Sequence, residues 1–395
     1  MENNQIKVMS VIGARPNFIK ISPFIKAVDA YNNSSPSNYM EIKHTIVHTG
    51  QHYDEKMSGN FFKDLGIKTP DVNLGIGSGS HAEQVGKTMI AFEKILHTMK
   101  PDWVVLVGDV NATCACSITA KKEQIKVAHI EAGLRSGDMS MPEEINRLVT
   151  DRLADLLLTP DRISNENLYR EGIATDKVKF VGNIMIDTLE NYRAAAKSLN
   201  PNEIVNKALI DGQTFSKNLA SDPYGVITLH RPSNVDEPST IIKIVQFLID
   251  EASLKLPLIW PIHPRTRKQL EKLGLFSQLL KENRLIIVEP LGYLQMLCLN
   301  MTAKIILTDS GGLQEECCVL GTPCLTLRWN TERPITLKEH GGASVLVGND
   351  IGSIRREFFD TLAQERKPQR PVLWDGHTAE RIVECLIEYT VRKKP

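Results

Sequence analysis

The sequence predicts an α/β protein built from two Rossmann-like domains. Short, β-branched apolar runs alternate with longer segments of helical spacing along the chain. This alternation is typical of parallel sheets covered by helices on both faces. It pauses in a polar, helical stretch at residues 186–225 and then resumes. Because 395 residues also exceed the usual size of one domain, we predict two domains joined near residues 185–200.

The first domain is predicted to cover residues 1–187. Its strands are apolar runs that end in Gly, Asp or Pro. One helix between them begins at Pro142, and Ile145, Leu148, Val149 and Leu153 form its apolar stripe. The predicted strands are 6–13, 44–50, 103–109, 127–133 and 155–160.

The second domain is predicted to cover residues 188–374. A final amphipathic segment at 377–394 ends in basic residues, which suit the C-terminal end of a helix dipole. The predicted strands are 226–232, 256–264, 285–292, 303–312 and 323–328.

Composition excludes several classes of protein. Lys and Arg together number 47, as do Asp and Glu. The chain therefore lacks the excess of basic residues that would indicate nucleic-acid binding. The N-terminus lacks the pattern of a secretory signal, and no apolar run is long enough for a membrane helix. We therefore expect a cytoplasmic protein. The seven cysteines read as buried thiols, since their spacing does not match zinc sites, and we expect no metal.

Acidic residues follow two strands of the first domain and open one of its helices. In parallel sheets, ligands bind beyond the carboxyl ends of the strands, where Asp109 and Glu131 lie. His129 precedes Glu131 by two residues and should share its strand face. Asp109 alone could cap a helix, and Glu143 alone could complement a helix dipole. Together, such clustered carboxylates favour acid/base chemistry.

Basic residues suggest anion contacts in both domains. Arg15 and Lys20 lie near the start of the first helix, where free backbone N–H groups face anions. A surface charge is an equally good explanation of either residue. His230 and His263, each followed closely by arginine, end two strands of the second domain and favour an anion pocket.

The stretch Asp309 to Glu316 resembles several kinds of site. The sequence DSGG is similar to the nucleophile loop of serine proteases, but a protease of that kind does not fit a chain of βαβ repeats. The G-x-S-x-G elbow of α/β-hydrolases is absent, as is the dinucleotide fingerprint G-x-G-x-x-G after the first strand. An apolar strand followed by Ser310, Gly311 and Gly312 instead suits phosphate, and Glu316 could reach sugar hydroxyls.

A series of motifs then resembles the bacterial UDP-N-acetylglucosamine 2-epimerases of the non-hydrolysing type. In order, they are GARPNFIK, HTGQHYDE, GDVNAT, HIEAGLRSGDMSMPEEINR, VGNIMIDTL, LHRPSNVD, HPRTRK, LTDSGGLQEE and NTERP. The resemblance implies a fold of the glycosyltransferase-B type, in which the final helix, 375–395, crosses back to the first domain. It further implies reversible epimerisation at C2 of a UDP-sugar without a cofactor, for surface polysaccharide precursors, by a homodimer.

The same resemblance implies roles for individual residues. It assigns acid/base work to Asp109, Glu131 and Glu143, and assistance to the diphosphate to His230. The implied contacts to the nucleotide are Arg15, Lys20, Ser310, Gly311, Gly312, Glu316 for ribose, and the backbone near Met296 for uracil. Alternatives that remain open are a hydrolysing epimerase, an epimerase of a related UDP-sugar, a glycosyltransferase of the same fold and a non-catalytic UDP-sugar binding module.

Overall fold

The computed structural model describes residues 5–13, 15–34, 40–50 and 68–392, although not the side chains of Arg15, Pro16 and Arg392. The chain divides into two compact units. The first comprises Met1–Thr188 and Pro371–Pro395, and the second comprises Leu189–Arg370.

The first unit contains a parallel sheet in the order β3-β2-β1-β4-β5-β6-β7. Its central strand β4 is buried along its whole length, as expected where helices cover both faces. The strands of the described part are β1 Gln5–Ile12, β2 Glu41–His48, β3 Val72–Asn73, β4 Trp103–Val107, β5 Lys126–Ile130, β6 Leu156–Thr159 and β7 Val178–Phe180.

Helices connect these strands, and the last helix of the chain packs on the first. The indole N–H of Trp103 in β4 donates to Thr390 Oγ1 at 2.8 Å, which anchors that last helix to the core. The described helices are α1 Arg15–Ser34, α2 His81–Met99, α3 Asn111–Lys122, α4 Pro142–Leu153, α5 Arg162–Arg170, α6 Ile184–Lys197, which runs across the boundary of the units, and α15 Thr378–Arg392.

The second unit contains a parallel sheet in the order β10-β9-β8-β11-β12-β13. Its strands are β8 Gly225–Thr228, β9 Leu258–Pro261, β10 Leu285–Val288, β11 Ile305–Thr308, β12 Cys324–Thr326 and β13 Ser344–Leu346. Its helices are α7 Pro201–Ala208, α8 Pro232–Val235, α9 Pro238–Phe247, α10 Pro264–Lys272, α11 Phe276–Leu279, α12 Tyr293–Thr302, α13 Gly311–Leu320 and α14 Ile351–Leu362.

Both sheets confirm the predicted α/β class. The strands that the sequence did not predict are β3, β7 and β13, each of only two or three residues. All three lie at a sheet edge. An edge strand has a neighbour on one side only, and these short strands therefore lack the continuous apolar run that marks a buried parallel strand.

Helix α4 is buried by its polar side, contrary to the predicted orientation. In the predicted apolar stripe, Ile145 is 47% exposed and Leu148, Val149 and Leu153 are only half-buried. Glu144, Asn146, Arg147, Thr150 and Asp151 are buried instead. Four of these side chains, Glu144, Asn146, Arg147 and Asp151, face inward because they hold loops at the ends of the neighbouring strands, as described below.

Of the helices in the described part, none has the length and apolar character of a segment that crosses a bilayer. The cysteines are buried, with Cys385 partly so. Among the described residues, no group of three or more His, Cys, Asp or Glu side chains is arranged to hold a metal ion.

Candidate active site

Glu131 lies directly after β5 in an unusual backbone conformation. Its φ is 70°, a left-handed value that costs a residue with a Cβ about 1–3 kcal/mol, and such residues cluster at functional sites. The prediction that His129 and Glu131 share one face of the strand is therefore wrong, because Glu131 does not have the extended backbone of a strand. The carboxylate of Glu131 is buried and forms an ion pair with the ammonium of Lys20, which is itself buried. Lys20 thus contacts an acidic residue of the site.

Gly108 brings the loop of Asp109 next to this ion pair. Its φ is 70°, and a Cβ at this position would lie 3.3 Å from Lys20 Nζ and 3.5 Å from Glu131 Oε2. Only glycine satisfies both the backbone conformation and the space without strain. Asp109, the next residue, is half-buried, and Arg147 Nη1 donates to its Oδ2 at 3.0 Å. Asp109 and Glu131 therefore lie on adjoining loops.

The adjacent residues Glu143 and Glu144 have different surroundings. Glu144 is buried and accepts hydrogen bonds from the backbone N–H of Gly137 at 2.9 Å and from Arg147 Nε at 3.0 Å. Glu143 is exposed and makes no ion pair with the residues that the structure describes. Glu144 therefore supports the loop structurally, whereas Glu143 can meet a ligand.

In the second unit, His230 is held by a buried aspartate that the sequence analysis did not single out. His230 Nδ1 lies 2.8 Å from Asp309 Oδ1, while the imidazole is 41% exposed. Asp309 also accepts the backbone N–H groups of His230 at 3.0 Å and Arg231 at 2.9 Å. Burial alone would raise the pKa of Asp309, but the hydrogen bonds from His230 and Arg231 outweigh it and lower this pKa.

The ionised Asp309 fixes the role of each nitrogen in His230. A carboxylate only accepts, so Nδ1 donates to it and Nε2 is left for a ligand. Asp309 directly follows an apolar strand, the same signal that identified Asp109. The sequence therefore contained a clue to this residue.

The ring of His263 lies beside that of His230, with centroids 5.5 Å apart. Its Nδ1 accepts the backbone N–H of Arg265 at 3.2 Å, which caps α10. The pKa of His263 is lowered, first by desolvation and then by neighbouring His230. Because Nδ1 accepts a hydrogen bond, the ring proton lies on Nε2, which can donate to a ligand.

Helix α13 begins at Gly311, immediately after Ser310. The Ser310 side chain makes no capping hydrogen bond, and the N–H groups of the first helical turn have no partners within the helix. A Cβ on Gly311 would lie 2.7 Å from both Arg333 Nη1 and Glu332 Oε1. Glycine thus avoids displacing this buried ion pair, and the N-terminal turn formed by Gly311 and Gly312 presents amides suited to phosphate.

A buried ionic cluster forms the packing behind Gly311. Arg333 Nε lies 2.8 Å from Glu315 Oε1, and Arg333 also pairs with Glu332. Arg328 Nη2 donates to Glu332 Oε2 at 2.6 Å. The motif NTERP, which the sequence analysis used only to recognise a family, therefore supports the start of α13.

Glu316 is a buried carboxyl in the second turn of α13. Burial raises its pKa to about 7, although the nearby Asn300 and Tyr293 lower it in part. Asn300 Nδ2 donates to Glu316 Oε2 at 3.3 Å. A buried acid with such a raised pKa is typical of a functional site.

Met296 lies in the first half of α12. Its backbone N–H donates to Gly292 O at 3.0 Å within the helix. The N–H of Met296 is therefore already hydrogen-bonded within the helix. Binding of a nucleobase near Met296 would need other groups, such as the N–H groups of Tyr293 and Leu294 in the first turn, which have no partners within the helix.

A family model described as UDP-N-acetylglucosamine 2-epimerase matches residues 36–387. The chain belongs to the UDP-N-acetylglucosamine 2-epimerase family. This epimerase is 42% identical over 383 residues to the UDP-N-acetylglucosamine 2-epimerase of Methanocaldococcus jannaschii, with 96% of this chain and 99% of the relative covered. It is 35% identical over 391 residues to the UDP-2,3-diacetamido-2,3-dideoxy-D-glucuronate 2-epimerase of Pseudomonas aeruginosa, with 96% and 99% covered.

Solved structures of family members resemble this epimerase throughout. The M. jannaschii enzyme in complex with UDP-GlcNAc and UDP superposes with a TM-score of 0.85 at 41% identity, covering 97% of this chain and 100% of that one. The Neisseria meningitidis enzyme bound to UDP-GlcNAc gives 0.81 at 30% identity, with 97% and 100% covered. The predicted family and the glycosyltransferase-B-like fold are thereby confirmed, including the contact of the final helix with α1.

Proposed function

We propose that this epimerase interconverts UDP-N-acetylglucosamine and UDP-N-acetylmannosamine through a 2-acetamidoglucal and without hydrolysis. The observation that carries the proposal is the similarity, at 42% identity over 96% of the chain, to the M. jannaschii epimerase. The two ligands named for the structure of that relative, UDP-GlcNAc and UDP, are a substrate and the leaving group that such a reaction requires. The product would serve as a precursor of surface polysaccharide.

The chemistry is an elimination followed by an addition. A base takes the proton at C2, the electrons of that C–H bond form a C1=C2 double bond, and UDP leaves C1 with the electrons of the C1–O bond. An acid then protonates C2 from the opposite face while a phosphate oxygen of UDP attacks C1. The site must therefore supply a base, an acid and stabilisation for the departing diphosphate.

Asp109, Glu131 and Glu143 are the proposed acid/base set of this reaction. Support comes from the adjoining loops of Asp109 and Glu131 and from the exposed position of Glu143. His230 is the proposed donor to the leaving diphosphate. The hydrogen bond of its Nδ1 to Asp309 supports this role, because it leaves Nε2 to face the ligand.

The proposed UDP contacts are mainly at the start of α13. The hydroxyl of Ser310 and the amides of Gly311 and Gly312 would bind phosphate, and the buried carboxyl of Glu316 would bind ribose. The remaining proposed contacts are Arg15, Lys20, His263 and the segment around Met296. For Lys20, the ion pair with Glu131 suggests that this residue also supports the acid/base set.

A related UDP-sugar is the second candidate substrate. The relative from P. aeruginosa is named for a diacetamido glucuronate and yet aligns over 96% of this chain. Its identity of 35% is lower than that of the M. jannaschii enzyme, which favours UDP-GlcNAc. Parallel assays with both nucleotide sugars decide between them.

We also propose that the enzyme is a homodimer. The outer side of α4 carries Ile145, which is 47% exposed, and helical spacing places the half-buried Leu148 and Val149 on the same side. Apolar side chains exposed in this way are suited to burial by a partner. Analytical ultracentrifugation should show a dimer for the native chain and a monomer for Ile145→Lys, and a native monomer would overturn this part of the proposal.

The reaction is tested by incubating the protein with UDP-GlcNAc in deuterated water and following the sugar by NMR. We expect UDP-ManNAc that carries deuterium at C2. Free ManNAc would indicate hydrolysis instead, and absence of deuterium at C2 would overturn both reactions. Glu131→Gln should abolish the exchange while UDP affinity stays nearly constant, because the ligand-binding amides of α13 are unchanged.

A further inference from the structure

His129 is a fully buried imidazole whose two nitrogens both face acceptors. Its Nε2 lies 2.9 Å from the carbonyl oxygen of Gly108, and its Nδ1 lies 2.6 Å from Asp151 Oδ1. A carbonyl oxygen can only accept, so Nε2 donates. Asp151 is a carboxylate that also accepts from Gly133 N–H at 3.0 Å and Arg135 Nη1 at 2.7 Å, so Nδ1 donates as well. The ring thus carries both protons and forms a buried ion pair with Asp151.

The pair of His129 and Asp151 reaches both acidic loops of the site. At one end, His129 holds the carbonyl of Gly108, the residue before Asp109. At the other end, Asp151 holds the N–H of Gly133, two residues after Glu131. The pair therefore connects the loop of one proposed acid/base residue to the loop of the other.

Side chains form hydrogen bonds with three consecutive backbone carbonyl groups in the loop of Asp109. Asn17 Nδ2 donates to Val107 O at 2.6 Å, His129 donates to Gly108 O, and Asn146 Nδ2 donates to Asp109 O at 2.9 Å. Three consecutive carbonyl oxygens thus accept hydrogen bonds from side chains of three different elements, α1, β5 and α4. Loop carbonyls more often bond to water or to backbone, so this arrangement indicates a loop whose position matters.

Arg135 extends the connection outward from the buried pair. It donates to Asp151 and, through Nε and Nη2, to both oxygens of Glu171 at 2.7 Å each. Asp151 therefore has three hydrogen-bond partners, His129, Gly133 and Arg135. Such a fully paired buried network stiffens the groups that it joins.

We propose that His129 and Asp151 act as a positioning unit that sets the relative placement of the Asp109 and Glu131 carboxylates for proton transfer. This inference rests on the proposed function of those carboxylates. His129 and Asp151 are both buried and are not proposed to touch the sugar. Their contribution is the geometry of the two loops, so their loss slows the chemical step and leaves UDP binding largely unchanged.

The variants His129→Gln and Asp151→Asn test the proposal. We expect kcat for epimerisation and the rate of deuterium entry at C2 to fall together, on the order of 10²-fold, because small displacements of reacting groups have effects of this size. The KM for UDP-GlcNAc and the Kd for UDP should stay within about twofold, as for loss of an interaction used only in the transition state.

His44→Gln is the matched control. His44 is another histidine in a strand of the same sheet, and its Nε2 lies 2.8 Å from Ser10 Oγ, away from the acidic loops. The control should lower the melting temperature while kcat stays at the native value. A native kcat in His129→Gln, or equal falls of kcat in His129→Gln and His44→Gln, would overturn the positioning role.

The kinetics of Arg135→Ala and the protonation of the His129 ring give two further tests of the positioning role. If His129→Gln does not fold, Arg135→Ala serves instead, because it removes one donor to Asp151 and should lower kcat about tenfold at constant KM. An unchanged kcat there overturns the inference. Nitrogen-15 NMR of the native protein should show protons on both ring nitrogens of His129 at neutral pH, and one bare nitrogen also overturns it. Absence of C2 exchange in the native enzyme would instead overturn the proposed function itself.

Discussion

Replacing Glu316 by glutamine should stabilise the protein and weaken its binding of UDP. Burial raises the pKa of Glu316 from its ordinary value of 4.5 to about 7. At about 1.4 kcal/mol per unit, ionising this carboxyl in the folded state therefore costs about 3 kcal/mol of stability at pH 8. Glutamine has nearly the same shape and no charge to bury, and Asn300 can still donate to its carbonyl oxygen.

The sign of the pH dependence follows from the raised pKa. Below about pH 4 the carboxyl is protonated in both states, and Glu316→Gln and the native protein should be equally stable. Between about pH 4.5 and 7 the unfolded chain releases the proton first, so native stability falls while that of the variant does not. The difference in free energy of unfolding should thus grow to about 3 kcal/mol at pH 8.

Thermal and urea unfolding between pH 4 and pH 8, with UDP affinity by calorimetry, measures both effects. We expect UDP to bind about 10- to 100-fold more weakly to Glu316→Gln, the value of one hydrogen bond to a charged group. Asp187→Asn is the control, because burial raises the pKa of Asp187 to about 6 and this residue caps α15. It should change stability in the window from about pH 4 to 6 and leave UDP affinity unchanged. Parallel pH curves for Glu316→Gln and the native protein would refute the reasoning.

Two other variants test the geometry around α13. Asp309→Asn should lower kcat by about 10²–10³-fold with a smaller effect on UDP affinity, since an amide group facing His230 Nδ1 disturbs the tautomer that Asp309 maintains; steady-state kinetics that match the native enzyme would contradict this. Gly311→Ala should lower stability by about 1–3 kcal/mol and weaken UDP binding, because its Cβ would meet the buried Arg333 and Glu332 at 2.7 Å. Gly86→Ala in α2 is the control for Gly311→Ala, because nothing lies within 4 Å of the Cβ that it adds. Gly86→Ala should raise stability by about 1 kcal/mol, since alanine favours a helix more than glycine does. Equal effects of the two alanine substitutions on the melting temperature would count against the packing argument.

The fold could be predicted from the sequence because buried parallel strands have a strong local signature. Strands such as β4 and β11 are buried on both faces, and they appear in the sequence as unbroken apolar runs. The same rule predicted where polar residues matter, since ligands bind beyond the ends of such strands. Asp109, Glu131 and His230 were identified in this way, although their catalytic roles remain predictions.

Partners that are distant in sequence could not be predicted. Asp309 and His230 are 79 residues apart, and Lys20 and Glu131 are 111 residues apart. No local pattern specifies such pairs, because they depend on which strands become neighbours and on the register between them. The position of Asp309 after a strand was visible, but its contact with His230 requires β8 and β11 to be adjacent.

Helix α4 shows a different reason why sequence patterns fail at a site. Periodicity predicts that the apolar side of a helix is buried, and this holds when burial of apolar surface decides the orientation. In α4 the polar side is buried instead, since Asn146 and Arg147 bind the loop of Asp109, and Asp151 binds His129.

The two sides of α4 also relate the proposed chemistry to the proposed dimer. Because Ile145 is 47% exposed and its apolar neighbours are only half-buried, each forgoes a part of the hydrophobic stabilisation of about 1.5–3 kcal/mol that full burial would give. A second copy that covers this side would restore part of that stabilisation and hold the helix in its orientation. Such a contact would act on Asn146, Arg147 and Asp151 through the helix backbone, without touching the substrate. In the proposed dimer, the orientation that positions the proposed acid/base carboxylates would also form the interface, so assembly and catalytic geometry would both depend on this one helix.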